Sequence, residues 1–234
     1  MKSILFRRTC ILIAILFGIC TRGSCAGETF YLANSHLDPI ALLAPPPLPD
    51  SPEQKYDLAE VEAVCHNAPS NDVAAALIEN KGVSLSYFES IIGDDLLSGK
   101  LPKTEAFLKR VHHDASETLN SCKDHWKRPR PFVLEPGLAT SGTLQKSFSY
   151  PSGHSTESMT LALVLAELFP DKRDALIGEA RTIGWHRVEI ARHYPTDIYA
   201  GRVLAQAIVR EMNNNPDFQK DLAEAKAEIA AAQK

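Results

Sequence analysis

Three cationic side chains in the sequence have the chemistry needed to bind an oxyanion. Lys123 and Arg130 lie in the run KDHWKRPRP, and Arg187 follows later in the chain. A lysine is a compact positive charge, whereas an arginine is a planar fork that donates to two oxygens at once. Pro131 disfavours helical geometry at Arg130, as expected where a helix ends at the rim of a pocket. These cations predict a site for a phosphate-like group.

The run PSGH at residues 151–154 adds neutral donors and a histidine. It lies where a long apolar helix is predicted to begin, and the unpaired N–H groups and positive dipole end of a helix start attract anions. Gly153 lets the backbone approach a ligand closely, and the hydroxyl of Ser152 offers a further donor. His154 falls in the first turn, beside any bound anion.

The side chains of His193 and Asp197 are of the kinds expected for a nucleophile and for the group that orients it. Pro195 signals the start of a helix, so Asp197 falls in its first turn, where the helix dipole favours a carboxylate. Tyr194 precedes that proline and is held out of helical geometry, so the pair is not simply stacked one turn apart. We expect Asp197 to turn back and hold one ring nitrogen of His193, which leaves the other as a nucleophile.

The elements that must position these residues are predicted to be helices. Apolar residues recur every three or four positions through most of the chain, and no useful stretch alternates as a strand would. The segment 154–169 is apolar on several faces and is predicted to be a buried central helix. The sequence thus predicts an all-α domain over residues 53–234, preceded by an extended, proline-rich arm over residues 27–52. The other predicted helices cover 53–66, 70–81, 85–92, 102–126, 171–192, 196–212 and the segment from 216.

Composition excludes several classes of protein. Hydrophobic residues make up 44% of the 234 residues and charged residues 23%, which is typical of globular chains and not of disordered ones. A single long apolar run excludes a polytopic membrane protein. A formal net charge of −4 provides no basic surface, so nucleic acid is not an expected partner.

Residues 1–26 have the pattern of a secretory signal peptide. A basic head precedes a short apolar stretch, and small residues lead to Ala26. The apolar stretch is shorter than the roughly 20 residues that span a bilayer, although a retained anchor stays an alternative. Cleavage near Ala26 predicts a mature protein in the periplasm or outside the cell. It removes four of the 25 basic residues and none of the 29 acidic ones, which moves the formal charge from −4 to −8.

Two cysteines, Cys65 and Cys122, remain after that cleavage. A pair of cysteines in an exported chain predicts one disulfide that closes a long loop. Two buried free thiols are the alternative, because free cysteine is a common core residue.

The motifs together resemble those of the phosphatidic acid phosphatase type 2 (PAP2) superfamily, which also contains vanadate-dependent haloperoxidases. The matching pattern is Lys-x6-Arg-Pro, then Pro-Ser-Gly-His, then Arg-x5-His-x3-Asp. Within the superfamily the chain resembles the bacterial class A non-specific acid phosphatases, and this likeness extends to the proline-rich arm. The resemblance implies a compact, exported helical enzyme that acts on small phosphate monoesters, has no membrane-bound mature form, and forms a homodimer.

The resemblance also implies a role for each matched residue. It implies that His193 attacks phosphorus to form a phosphohistidine, that Asp197 orients it, and that His154 protonates the leaving alkoxide and then activates water. The implied ligands of the phosphoryl oxygens are Lys123, Arg130, Ser152, the backbone of Gly153, and Arg187. Fixed cations stabilise the charge in this chemistry, so no metal or other cofactor is expected.

Several alternatives stay open. His186 stands where the family usually has serine, and this exchange is compatible with a phosphate-binding protein without turnover. A vanadate-dependent haloperoxidase would use the same anion site.

A metal site built from His154, His186, His193 and Asp197 has suitable ligand types, but the neighbouring cations would repel a metal ion. The run His112-His113-Asp114 is expected to occupy surface and flank positions, since adjacent helical residues point in different directions.

Overall fold

The computed structural model describes residues 29–93, 98–138 and 142–232, and this part of the chain is helical without strands. The all-α prediction is therefore confirmed, whereas the predicted signal peptide lies outside the described residues. The helices are α1 (Pro39–Leu42), α2 (Pro52–Asn67), α3 (Ser70–Glu79), α4 (Glu89–Ile92), α5 (Pro102–Trp126), α6 (Pro131–Leu134), α7 (Gly153–Leu168), α8 (Arg173–Glu189), α9 (Pro195–Asn213) and α10 (Pro216–Ala232). Short 3-10 turns cover Leu85–Phe88, Pro136–Leu138 and Pro170–Lys172.

Helix α7 is the central helix, as its sequence predicts. It packs against α5, α8 and α9, and Leu161, Ala162, Val164 and Leu165 on successive faces are all buried. A helix that is apolar all round is stable only when other elements cover every side. Among the described residues, none of the helices combines the length and the apolar character of a membrane-spanning segment.

The start of α7 lies directly against α9 because α9 has a glycine at the contact. A Cβ atom placed on Gly201 would lie 2.8 Å from the carbonyl oxygen of Ser152, too close for any other residue without movement. The backbone N–H of Ser152 donates to the carbonyl oxygen of Asp197 at 3.0 Å. This close approach brings the PSGH run next to the first turn of α9.

The end of α8 differs from the prediction, which extended that helix to residue 192. Helix α8 ends at Glu189, because Ala191 adopts the left-handed conformation with φ of 52°. The backbone N–H groups of Arg192 and His193 then both donate to the carbonyl oxygen of Arg187, at 2.8 and 3.1 Å. This tight turn places His193 close to Arg187.

The N-terminal arm, which was predicted to be extended, has turns and bends and contains the short helix α1, which Asp38 caps at its start. The arm is held to the helical domain by a carboxylate. Asp114, in α5, accepts hydrogen bonds from the backbone N–H groups of Phe30, Tyr31 and Leu32 at 2.7, 2.7 and 3.1 Å. Asp114 is completely buried. Its expected surface position was therefore wrong, because the arm covers this face of α5.

The predicted disulfide between Cys65 and Cys122 was also wrong, since both thiols are free. Cys122 lies in the main core and its Sγ contacts the carbonyl oxygen of Thr118 at 3.7 Å. Cys65 packs at the edge of a separate cluster between α2 and α8, where its Sγ contacts the carbonyl oxygen of Val188 at 3.2 Å. Burial raises the pKa of both thiols, to about 11 for Cys122. The alternative of two free thiols is the one that the structure supports, with Cys122 buried and Cys65 half-buried.

Candidate active site

A cleft of about 290 Å³ lies where α5, α7, α8 and the turn before α9 meet. It collects most of the residues that the sequence singles out. Its lining includes Lys123, Arg130, Gly153, His154, Arg187 and His193. Ser152 and Asp197 are fully buried and are not part of this lining. The Oγ of Ser152 caps α7 by accepting from the backbone N–H of Ser155 at 3.4 Å, and the hydrogen of this hydroxyl stays the predicted anion donor.

His193 is held in one tautomer by its two neighbours. Its Nδ1 lies 3.3 Å from Oδ2 of Asp197, and its Nε2 lies 3.1 Å from Nη1 of Arg130. An ionised carboxylate only accepts and a guanidinium only donates, so Nδ1 carries the hydrogen and Nε2 presents a lone pair. His193 therefore has a nucleophilic nitrogen in a cleft that also contains cations.

Asp197 is fixed by several donors besides His193. The Ser149 hydroxyl donates to its Oδ2 at 2.5 Å and the backbone N–H of Tyr194 donates to the same oxygen at 2.9 Å. Burial raises the pKa of this carboxyl, but the hydrogen bond from His193 and the charge of Arg128 outweigh that effect and hold the pKa well below its usual range. Asp197 is thus an anion that orients His193 throughout the working pH range.

Arg130 and Lys123 form one cationic side of the cleft. The guanidinium of Arg130 donates to the carbonyl oxygens of Ser147 and Arg192 at 2.7 and 2.8 Å. The ammonium of Lys123 donates to the carbonyl oxygens of Phe148 and Pro151 at 2.8 and 3.0 Å. Backbone carbonyls thereby position both cations without neutralising their charge.

These cations change the ionisation of the groups around them. Burial, with the charges of Arg130 and Lys123, lowers the pKa of His193 well below its ordinary value, so its ring is neutral. Burial and the charge of Arg130 also lower the pKa of Lys123 to about 7. Lys123 is therefore charged at acidic pH and loses its charge above neutrality.

His154 lies in the first turn of α7, and its Nε2 donates to the backbone carbonyl oxygen of Glu79 at 2.8 Å. Burial and the charge of Arg187 lower the pKa of His154 to about 4. Its ring is therefore largely neutral at mildly acidic pH, because burial and the nearby cation both disfavour a further positive charge.

Arg187 reaches the cleft from α8 and is anchored to α3. Its Nη2 donates to the carbonyl oxygen of Ala76 and lies 3.4 Å from Oε2 of Glu79, while its Nη1 lies 3.4 Å from Oδ1 of Asn80. The neighbouring His186 bonds to Glu79 through Nδ1 at 2.8 Å. Glu79 thus contacts both residues, and no sequence motif had indicated it.

Arg128 is a second residue whose role sequence reasoning missed. It is buried, and its guanidinium donates to Oδ1 of Asp197 and to Oδ2 of Asp57, both at 2.6 Å. The guanidinium also lies over the ring of Tyr194, 3.8 Å from its centroid. Its place within the run KDHWKRPRP was the available signal. Asp57 lies about seventy residues earlier in the chain and carried no such signal.

The three histidines considered as metal ligands bond to protein groups. Among residues 29–93, 98–138 and 142–232, no group of three or more histidine, cysteine and acidic side chains is arranged to hold a metal ion. His186 and His193, two members of the metal site considered from sequence, bond to different carboxylates, Glu79 and Asp197.

Comparison with known proteins identifies the family of this chain. The PAP2 superfamily profile matches residues 114–218. The chain is 33% identical over 218 residues to the non-specific acid phosphatase of Providencia stuartii, covering 88% of this chain and 87% of the relative. It is 30% identical over 211 residues to the non-specific acid phosphatase of Salmonella typhimurium, covering 86% and 84%.

A solved structure shows the same fold. The transmembrane PAP2-type phosphatidylglycerolphosphate phosphatase of Bacillus subtilis superimposes with a TM-score of 0.51 at 18% identity, covering 69% of this chain and 84% of that one. From the sequence identities, the profile match and the shared fold, the chain belongs to the PAP2 superfamily and, within it, to the class A non-specific acid phosphatases, which are phosphoric monoester hydrolases.

Proposed function

We propose that this protein hydrolyses small phosphate monoesters through a covalent phosphohistidine on His193, without a metal ion. The observation that carries the proposal is the neutral His193 ring, whose Nε2 presents a lone pair in a cleft lined by three cations. Anchored cations stabilise negative charge that develops on the phosphoryl oxygens, which is the part a metal ion plays in many other phosphatases.

The reaction proceeds in two displacements at phosphorus. In the first, Nε2 of His193 attacks, an N–P bond forms, the P–O bond to the alcohol breaks, and His154 gives a proton to the leaving oxygen. In the second, His154 takes a proton from water, the water oxygen attacks phosphorus, and the N–P bond breaks to release inorganic phosphate. Asp197 keeps the hydrogen of His193 on Nδ1 and stabilises the positive ring of the intermediate.

The source of the catalytic proton follows from the pKa of His154. With a pKa of about 4 the ring is largely neutral at mildly acidic pH before substrate binds. A phosphate monoester has a second pKa of about 6, so at such pH the substrate arrives largely with one proton. The negative charge of the bound phosphoryl group raises the pKa of the His154 ring. The proton of the substrate therefore passes to Nδ1 of His154, because Nε2 already donates to the carbonyl oxygen of Glu79.

We further propose that residues 1–26 direct export and that the mature enzyme works in the periplasm or outside the cell. The support is the basic head, short apolar stretch and small residues of this segment. A mature N-terminus at Gly27 in protein recovered from the periplasm or medium is the expected result, and an intact Met1 there would contradict it.

The homodimer that the family resemblance implies predicts a solution mass of twice the chain mass, which a monomer mass would contradict.

The activity is tested with p-nitrophenyl phosphate at mildly acidic pH in excess EDTA. We expect turnover that resists EDTA, is lost in His193→Ala, and is retained in His66→Ala, a matched change of an exposed histidine. Turnover that EDTA abolishes would contradict metal independence. Well-folded wild-type protein that binds phosphate without turnover would contradict the hydrolase assignment, and oxidation of halide in the presence of vanadate would favour a haloperoxidase.

A further inference from the structure

Glu79 connects two residues of the cleft with a histidine outside it. Glu79 is at the end of α3 and only 5% exposed. Its carboxylate contacts Nδ1 of His186 at 2.8 and 3.0 Å through its two oxygens, and Nη2 of Arg187 at 3.4 Å through one of them. Its backbone carbonyl holds His154. One buried carboxylate is therefore shared between a permanent cation of the cleft and a titratable ring.

This sharing couples the charge of His186 to anion binding. A guanidinium that is neutralised by a buried carboxylate attracts a phosphoryl group less than one that is not. When His186 is charged, it compensates the negative charge of Glu79, and the charge of Arg187 remains for the anion. When His186 is neutral, Glu79 is balanced by Arg187 alone and repels an anion in the cleft.

We propose that His186 is a positioning residue that strengthens phosphoryl binding through Glu79 and Arg187 when its ring is charged, and not when it is neutral. The inference rests on the proposed function only in taking the cleft to be a phosphoryl site. His186 is not among the residues that line the cleft, so it acts through its neighbours. A serine at this position could not supply such a charge.

The surroundings of His186 favour the charged ring. Burial lowers its pKa, but the hydrogen bond and negative charge of Glu79 outweigh that effect and raise the pKa above its ordinary value. The other charged or titratable groups near this pair lie on α3, on α8, on α9 and in the turn after α3. They are Asp72, Glu179, Arg181, Arg187, Glu189, Arg202 and Tyr87.

The test measures sulfate binding by titration calorimetry, because the charge of sulfate stays constant through the pH range. Wild-type protein and His186→Asn are compared from about pH 5 to 9, which brackets the ordinary pKa of histidine. Asparagine keeps a neutral donor toward Glu79. The ratio of the two dissociation constants is the readout, because Lys123 and His154 titrate in both proteins and cancel from it.

We expect His186→Asn to bind sulfate on the order of tenfold more weakly at the acidic end, with the ratio falling to about one as pH rises through the pKa of His186. The control His66→Asn, at an exposed histidine, should bind as the wild type at every pH. A constant ratio, whatever its value, would show a purely structural role and overturn the proposal.

Two further variants keep the test decisive. His186→Ser introduces the residue usual in the family, so it supplies the same comparison if the asparagine variant does not fold, and it should lose the same pH dependence. Glu79→Gln keeps the carbonyl that holds His154 but removes the charge, so in this background His186→Asn should no longer change sulfate binding at any pH. A pH-dependent ratio that persists between Glu79→Gln and the double variant Glu79→Gln/His186→Asn would overturn the role of Glu79.

This outcome is independent of turnover. A pH-dependent ratio in a protein that hydrolyses nothing would contradict the proposed function and leave this inference standing. A flat ratio in an active enzyme would overturn the inference alone. In the active enzyme, His186→Asn should raise KM for p-nitrophenyl phosphate at acidic pH by a similar factor and leave kcat nearly unchanged, because His186 does not touch the reacting atoms.

Discussion

Replacement of Arg128 by methionine should remove a buried cation that two buried carboxylates share. Arg128 donates to Asp57 and Asp197 at 2.6 Å, and the exposed fraction of each of the three side chains is below 5%. Methionine retains much of the packing volume, so the change isolates the charge. The variant places two carboxylates in the interior without their partner, and breaking a buried pair in this way costs about 3–5 kcal/mol.

The contact of the guanidinium with the ring of Tyr194, at 3.8 Å, adds to this loss. We therefore expect the free energy of unfolding to fall by about 4 kcal/mol at neutral pH, a large share of the roughly 5–15 kcal/mol that holds a typical domain. Urea unfolding followed by circular dichroism measures it. Arg210→Met, at an exposed arginine of α9, is the matched control and should change stability by less than about 0.5 kcal/mol.

The sign of the pH dependence provides a second check. The pKa of Asp197 is depressed in the native protein, so its ionisation stabilises the fold above the unfolded value of about 3.9 and loses that effect only as pH falls toward the native value. Without Arg128 the native pKa rises, and protonation relieves part of the penalty in acid. The decrease in the free energy of unfolding caused by Arg128→Met should therefore be smaller at about pH 4 than at about pH 7.

The double variant Arg128→Met/Asp57→Asn should lose less stability than the sum of the losses in the two single variants. The reason is that Asp57→Asn removes one of the charges that Arg128→Met leaves unpaired. A loss of stability below about 1 kcal/mol, or one that does not change with pH, would refute the reasoning about this network.

The remaining predictions concern the arm, the pH profile and the cysteines. Asp114→Asn replaces a charged acceptor of three backbone hydrogen bonds, so it should cost about 2–3 kcal/mol and speed hydrogen exchange at residues 30–32; unchanged exchange there would contradict the anchoring role. The value of kcat/KM should decrease at pH values below about 4, where both His154 and the substrate are protonated, and at pH values above about 6, where neither is. An optimum above neutrality would contradict the assignment of His154 as the acid. Thiol titration after unfolding should find Cys65 and Cys122 both reactive, and a reductant should not change the unfolding midpoint; a loss of stability on reduction would contradict the free thiols.

Much of the fold could be predicted because its signals are local. The apolar period of α5 and the all-round apolarity of α7 each specify a helix and its degree of burial. The end of α8 could not be predicted, since nothing in the sequence shows that Ala191 adopts a positive φ. The position of Asp114 was missed for a related reason, because the arm that buries it lies more than eighty residues earlier in the chain.

The candidate site was also predictable only where the signal is local. Groups within the motifs could be predicted, because their chemical types and spacing are local information. Glu79, Asp57 and Ser149 could not, since each is an ordinary polar residue until the fold brings it to a motif residue. The disulfide prediction failed because cysteine count and export carry no information on distance. The capping role of Ser152 was not predicted, because sequence does not tell whether a hydroxyl at a helix start faces a ligand, caps the helix or does both.

The central claim, that His193 carries the phosphoryl group, is tested most directly by trapping. Enzyme turning over p-nitrophenyl phosphate is quenched in alkali, which preserves phosphohistidine, then digested and mapped by mass spectrometry. The account predicts a phosphoryl group on the peptide that contains His193, absent from His193→Ala and longer-lived in His154→Asn, where the base for the second step is missing. Phosphorylation of another residue, or full turnover with no phosphorylated protein at any quench time, would contradict it.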